Sequence, residues 1–337
     1  MKVKDLGEFG LLAKITPFLP CDPRRVIKGI GDDAAVIDLG GDRVLVVTTD
    51  MLVEDRHFSL QYTDGWHLGI KAMEVNISDI AAMGAVPLYA LVSLGLPPAT
   101  EVEFVEELYR GMACSARERN ISIVGGDTVR TEKIVISITL LGEGEKGQIV
   151  FRSGARPGDV VAVTGPLGRS AAGLFLLQNR EKLQDVAGEI KEELISAHLA
   201  PRARLREGLI LANSGAVTAM NDISDGLAKE VTEICLASRT GCRLKKEKIP
   251  VAVAACLVAE KTGQDPLAWA LGGGEDYELV FTVKPERLEE IKKVMLAAGR
   301  TIFPVGEITG SGEIILESED REDPLFVAGY DHFKEGF

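Results

Sequence analysis

No apolar run in this chain reaches the length of a membrane span, and the N-terminus Met1-Lys2-Val3-Lys4-Asp5-Leu6-Gly7-Glu8 has no signal-peptide core. Cytoplasmic location is the resulting expectation. The five cysteines, Cys21, Cys114, Cys235, Cys242 and Cys256, are odd in number, scattered, and form no C-x-x-C pair. That excludes a disulfide framework or a cysteine zinc site as the organising device and leaves reduced thiols. Only four histidines are present, with no Ser-His-Asp spacing; His57, in Glu54-Asp55-Arg56-His57-Phe58, is the one close to a candidate site. There is no G-x-x-x-x-G-K-[ST] motif, so the chain is not a P-loop enzyme. A basic surplus is missing too: the net charge is −13, which argues against nucleic acid as a partner.

What is there is a globular composition, 46% hydrophobic and 26% charged, which rules out disorder as a class. At 337 residues the chain can build two cores. The polar, glycine-rich stretch Glu143-Gly144-Glu145-Lys146-Gly147-Gln148 is the best boundary, predicting domains at 1–147 and 148–337. Periodicity predicts helices over 5–19 (Phe9, Leu12, Ile15), 66–83, 101–120, 170–179 and 224–238. Strands are predicted over 43–49, 134–141, 159–164 and 277–283, with Tyr277, Leu279, Phe281 and Val283 on one face, and 180–193 reads as a solvated helix or loop. Strands and helices mix without a strict βαβ period, so two α+β domains are expected. No internal repeat or low-complexity tract is seen.

Aspartates recur at the predicted ends of these elements: Gly31-Asp32-Asp33, Thr48-Thr49-Asp50, Asn76-Ile77-Ser78-Asp79, Gly125-Gly126-Asp127 and Asp222-Ile223-Ser224-Asp225. Carboxylates among apolar residues are costly to bury unless a charge compensates them. Divalent cations, which take oxygen ligands and bridge carboxylates to phosphates, are the simplest compensation. Each motif has an ordinary alternative. Gly31-Asp32-Asp33 and Gly126-Asp127 read equally as turns, Asp50 as a strand end, and Asp222, Ser224 or Asp225 as a helix cap. On the 66–83 helix, Asn76 and Asp79 share a stripe with Ala72 and Met83 beside the core stripe Met73, Ile77, Ile80 and Gly84, which suggests a lined cavity. Gly272-Gly273-Gly274-Glu275-Asp276 would present Glu275 at a strand start. Thr164-Gly165-Pro166-Leu167-Gly168 has the look of a weak phosphate-cradling loop.

Taken in order, these motifs resemble the thiamine-monophosphate kinase family, within the superfamily that includes aminoimidazole ribonucleotide synthetase. The resemblance rests on Gly7-Glu8-Phe9-Gly10, Gly29-Ile30-Gly31-Asp32-Asp33-Ala34-Ala35, Thr49-Asp50 with His57-Phe58, and Val75 through Gly84. It continues through Gly125-Gly126-Asp127-Thr128, Arg152 through Asp159, Asp222 through Gly226, Gly273 through Leu279 and Gly329-Tyr330-Asp331-His332-Phe333. It implies a PurM-like fold: an N-terminal mixed-sheet domain that pairs in a homodimer and a C-terminal α/β domain. It also implies transfer of the γ-phosphate of ATP to thiamine monophosphate with several Mg2+ ions per site. Carried over by motif, Asp33, Thr48, Thr49, Asp50, Asp79, Asp127, Asp222 and Asp225 are the expected metal ligands. Tyr109, Gly126, Asp127, Arg152 and Ser224 are the expected nucleotide contacts, and His57, Glu275 and Tyr330 the expected substrate contacts. Some relatives place a tryptophan near the C-terminus against the substrate; here Val327 and Ala328 stand in that neighbourhood, beside Phe326 and Tyr330.

Residue chemistry agrees with that implication. A phosphate monoester has its second pKa near ~6, so the acceptor arrives ionised and needs no strong base. Metal-held phosphates and in-line geometry are what the reaction requires, and direct transfer without a phosphoenzyme is expected. Sister enzymes fit less well. Cys21, in Pro20-Cys21-Asp22-Pro23, lacks the glycine-rich setting of a selenophosphate synthetase. The C-terminus has no cysteine tail of the hydrogenase-maturation type. Aminoimidazole ribonucleotide synthetase lacks the Gly-Gly-Glu-Asp-Tyr-Glu-Leu and Tyr-Asp-His-Phe pair. A nucleotide sensor retaining the fold is the non-enzymatic alternative.

Overall fold

A computed structural model of the chain describes residues 2–179, 186–319 and 321–325. After a short helix α1 (Gly7–Ile15), flanked by single 3-10 turns at Val3–Asp5 and Thr16–Phe18, the first sheet begins. The helix expected over 5–19 is shorter because Pro17 supports a 3-10 turn instead. Six strands follow: β1 (Val26–Lys28), β2 (Ala35–Asp38), β3 (Arg43–Val53), β4 (Val86–Leu96), β5 (Ser122–Arg130) and β6 (Val135–Glu145). They are ordered β1-β2-β3-β6-β4-β5, antiparallel except for the β4/β5 pair. β3 runs four residues past the expected end at Thr49, because it pairs with β6 along its whole length, from Arg43↔Glu145 to Val53↔Val135. Asp50 therefore lies inside a strand, not at its terminus.

One face of this sheet is covered by α2 (Gly65–Ala82) and α3 (Val102–Glu118). Asp64 caps α2 by accepting from His67 N at 2.9 Å. The helix is buried nearly all round, from Leu68 to Ser78 without interruption, which explains its two-sided apolar pattern. Helices α2 and α3 approach closely at Gly69, where a Cβ would stand 2.0 Å from Leu108 O.

The second sheet contains β7 (Val160–Val163), β8 (Val217–Asp222), β9 (Gly241–Lys245), β10 (Leu279–Val283), β11 (Phe303–Thr309), β12 (Ile314–Glu317) and β13 (Glu322–Pro324). Its order is β13-β12-β9-β11-β7-β10-β8, with β9/β12 parallel. Around it lie α4 (Arg169–Gln178), α5 (Gly188–Leu199), α6 (Leu205–Asn213), α7 (Leu227–Ser238), α8 (Val253–Thr262), α9 (Pro266–Gly272) and α10 (Leu288–Ala297). β10 sits between β7 and β8 and is buried at all five positions. Val280 faces one cluster with Leu227, Val231 and Val305, while Leu279, Phe281 and Val283 face another with Ile291 and Met295. Leu279, Phe281 and Val283 share a face as expected, but Tyr277 does not: its φ of 48° precedes the strand.

The two sheets are joined by packing as well as by chain. Ala82, from α2, shares a core cluster with Val150, Leu211, Ala212 and Phe281. Val150 N also donates to Met83 O at 3.2 Å. The C-terminal end of α2 is thus held by both halves, which brings Asp79 to the seam between them.

Candidate active site

Four chain segments converge at that seam: the loop before β2, the middle of β3, α2, and the end of β8. Carboxylate oxygens of Asp33, Asp79 and Asp222 all lie within 4.8 Å of one another. Asp33 and Asp222 are buried, and Asp79 is partly so. Strand alternation turns Thr48 and Asp50 toward the same side. The Thr48 hydroxyl donates to Asp79, and Asp50 N donates to the Asn76 side-chain oxygen at 3.1 Å. Ser78 Oγ donates to Asp222 at 2.6 Å. Asn76 spends its other end on Ala72 O, so this pair on α2 is a framework for the acids rather than a solvated face.

Burial and mutual repulsion set the electrostatics. Burial pushes Asp222 up to about 7, with Asp50 and Asp225 adding to it against the help of Ser78 and Arg152. Asp50 is raised to about 6 by burial and by Asp225. Burial raises Asp79 well above the usual range, reinforced by Asp50, Asp222 and Asp33. Asp33 is raised as well by burial, although Arg152 pulls the other way. Among the described residues, the only cation bonded to the three clustered acids is Arg152, which reaches Asp33 and Asn221 through Nε at 3.1 Å and also pairs with Glu233. Asp33 Oδ2 is buried with no hydrogen-bond partner among the described residues. An orphaned carboxylate oxygen within a triad of hard oxygen donors fits a divalent cation.

The second part of the site is the loop contact between Ser224-Asp225-Gly226 and Gly272-Gly273-Gly274-Glu275. Glu275 N donates to Ser224 O at 2.6 Å and Tyr277 N to Ile223 O at 2.9 Å. A Cβ at position 274 would stand 2.6 Å from Ser224 O, so only glycine permits this approach. Glu275 and Tyr277 both take positive φ, 65° and 48°. Such strain in non-glycine residues concentrates at functional sites.

Comparison with known proteins decides the family. Residues 31–143 match the AIR synthase related protein N-terminal domain and residues 156–319 the corresponding C-terminal domain. The thiamine-monophosphate kinase of Bacillus subtilis (strain 168) is 38% identical over 98% of this chain and 100% of its own length. That of Aquifex aeolicus (strain VF5) is 40% identical over 85% and 89%. The chain belongs to the thiamine-monophosphate kinase family. Among solved structures, AaThiL complexed with AMPPCP and TMP superposes with a TM-score of 0.86 at 34% identity, covering 98% of this chain and 99% of that one. A hydrogenase maturation protein HypE in complex with ATP, at 22% identity and a TM-score of 0.68, shares the fold.

Against that family pattern, the structure gathers Asp33, Thr48, Asp50, Asp79 and Asp222, with Asp225 alongside, paired to Lys229. Two expected ligands stand apart. Thr49 faces the opposite side of the sheet, where its hydroxyl meets those of Thr139 and Ser137 at 3.3 and 3.5 Å. Asp127 is exposed and lies in register with Ser93 and, across it, Ser137, on that same side. Its motif is no turn: Gly125-Gly126-Asp127 lies inside β5, directly after a bulge at Val124, and Gly126 has a φ of 157°. Tyr109 packs against the first core from α3 and makes no hydrogen bond to the acids among the described residues. His57 Nδ1 accepts from Val53 N at 3.0 Å. Tyr330, like the flanking motif 326–333, lies outside the described residues.

Three expectations need correction. Helix α7 starts at Leu227, not 224, and neither Asp222, Ser224 nor Asp225 caps it: its N-cap is Gly226 without a side-chain bond, while buried Glu230 reaches back to Asp225 N at 3.0 Å. The 164–168 loop is not an open phosphate cradle, because Gly168 N and Ser170 N donate to the Asp276 carboxylate. His57 is not the one histidine nearby: buried His198 lies 3.2 Å from Glu275. Sequence reasoning also missed Lys71, which bonds Glu275 at 2.8 Å. A lone lysine within the apolar run Leu68–Met73 was the available signal.

Proposed function

We propose that the protein phosphorylates thiamine monophosphate to thiamine diphosphate at the expense of ATP. The observation that carries this is the Asp33–Asp79–Asp222 cluster with its unpartnered oxygen, in a chain that aligns end to end with a relative complexed with AMPPCP and TMP. A phosphate oxygen of the acceptor attacks Pγ, the bond from Pγ to the β–γ bridging oxygen breaks, and ADP leaves with that electron pair. Mg2+, when bound, supplies neutralisation of the facing phosphates. Asp33, Asp79 and Asp222 would hold it, with Thr48, Asp50 and Asp225 completing the inner group. Thr49 and Asp127 would serve a further ion on the open side of the sheet. Gly126, Ser224, Arg152 and Tyr109 are the proposed nucleotide side of the cleft, and His57, Glu275 and Tyr330 the thiamine side. Arg152, paired with Asp33 and Glu233, would also hold the acids in place.

The division at 147/148 is supported by the sheets, the first ending at Glu145 and the second starting at Val160. A homodimer is supported by exposed Met51, Leu91 and Val129 on the first sheet and by the edge position of β5 among the described residues. No helix among the described residues is long and apolar enough to cross a membrane. The deciding experiment is a chromatographic assay of the protein with ATP, Mg2+ and thiamine monophosphate, with free thiamine as the control acceptor. Equal amounts of thiamine diphosphate and ADP from the monophosphate alone are expected. ADP without a thiamine product, or nucleotide binding without turnover, overturns the reading; a radiolabelled phosphoprotein formed from ATP alone overturns direct transfer.

A further inference from the structure

Around Glu275 the two halves of the chain build a charge arrangement that the carboxylate cluster does not use. Lys71 comes from α2 and is only 3% exposed; His198 comes from α5 and is only 2% exposed. Lys71 Nζ lies 2.8 Å and His198 Nδ1 3.2 Å from the same atom, Glu275 Oε2. His198 is itself placed, with Ser170 Oγ at 3.0 Å and the Tyr62 ring tilted against it at 6.3 Å. Oε1 of Glu275 has no hydrogen bond among the described residues, and the Glu275 side chain keeps 24% of its surface open.

We propose that Lys71 and His198 are positioning residues that hold Glu275 by one oxygen, so that the other receives the amino-bearing, cationic organic portion of the acceptor substrate. This rests on the kinase reading above. A carboxylate suits a donor group or a fixed positive charge, but a free glutamate side chain would lose rotamer freedom on binding one. Fixing Oε2 in advance removes that cost. The proton inventory agrees: burial first, then Lys71, lowers His198 to about 4, so it is neutral and offers an N–H rather than a charge. Burial raises the Glu275 carboxyl, but the charge and hydrogen bond of Lys71 lead the groups that hold it below the ordinary range. Stability alone is a poor reason for this pair, since buried ion pairs add little over apolar residues of like volume. Placement supplies a better one. Glu275 N is bonded to Ser224 O, next to Asp225 and two residues from Asp222, so one loop contact spaces the organic end of the acceptor from its phosphate end.

The test is steady-state kinetics of Lys71→Met, Lys71→Arg, Glu275→Gln and the double variant Lys71→Met/Glu275→Gln. Lys71→Met is expected to raise KM for thiamine monophosphate at least tenfold while KM for ATP stays within twofold, and Lys71→Arg to recover part of the loss. In the Glu275→Gln background the lysine change should add nothing, a comparison that survives even if Lys71→Met alone folds poorly. An unchanged acceptor KM in Lys71→Met, or a further rise on removing Lys71 from Glu275→Gln, overturns the assignment. Wild-type protein that turns over no thiamine monophosphate overturns the kinase reading and this assignment with it.

Discussion

Asp222→Asn should stabilise the metal-free protein and at the same time remove its response to Mg2+. In the wild type, Asp222 is raised from 3.8 to about 7, chiefly by burial. At about 1.36 kcal/mol per unit, that shift costs the metal-free fold about 4 kcal/mol once the group ionises in the folded state. The sign follows from the proton count. Below the unfolded value both states hold the proton and nothing is lost. Between 3.8 and 7 the unfolded chain ionises first, so stability falls with rising pH, and above 7 the loss is complete. Of the ~4 kcal/mol, about 2 accrues between pH 5 and pH 7. The asparagine side chain does not titrate, and its amide oxygen can still accept from Ser78. The variant's advantage in metal-free protein should therefore grow by up to ~3 kcal/mol from pH 5 to pH 8, read as urea midpoints in EDTA. Millimolar Mg2+ should then stabilise the wild type at pH 8, by about 2.7 kcal/mol at a hundredfold excess over Kd, and leave Asp222→Asn nearly unmoved. A variant less stable than wild type at pH 8 without metal, or an equal Mg2+ response in both, would refute the reasoning.

Two further outcomes test the frame around the site. Arg204→Met should cost about 3–5 kcal/mol by urea unfolding, because Arg204 holds buried Glu278 with both ends of its guanidinium; adding Glu278→Gln should recover most of that loss, and no recovery would show that packing, not charge, was removed. Gly126→Ala should lower Tm by several degrees and reduce turnover, since its Cβ would stand 1.7 Å from Val92 O at a φ of 157°; an unshifted melting curve would mean that the β5 bulge relaxes at no cost.

How much of this was legible in the sequence depends on what each residue's position required. The aspartates could be read because burying a carboxylate is costly wherever it sits, so Asp33, Asp79 and Asp222 stand out without any knowledge of the fold. Which way each one points could not be read, since it turns on strand register. The run Val44–Val47 gives β3 its start, but its end is fixed by pairing with β6, some ninety residues later, and that pairing puts Asp50 and Thr49 on opposite faces. Asp127 shows the same limit: two glycines suit a turn as well as a bulge, and only the parallel partner β4 decides for the bulge. Loop 164–168 looked like a phosphate cradle because its N–H groups are real; that Asp276 takes them follows from a contact 108 residues away.

Lys71 and His198 mark the deeper reason. Neither lies in a motif that announces chemistry, and each owes its meaning to Glu275, 204 residues beyond the lysine. A cation in a helix buried on all sides must have a partner, so the demand for one was visible at Lys71 even though its identity was not. The same demand runs through Asp33, whose Oδ2 remains unpartnered after every donor among the described residues is counted. At Lys71 the chain supplies its own counter-charge and fixes a geometry, whereas at Asp33 it leaves the last bond to a ligand. That difference separates the part of the site that positions from the part that waits for metal and phosphate.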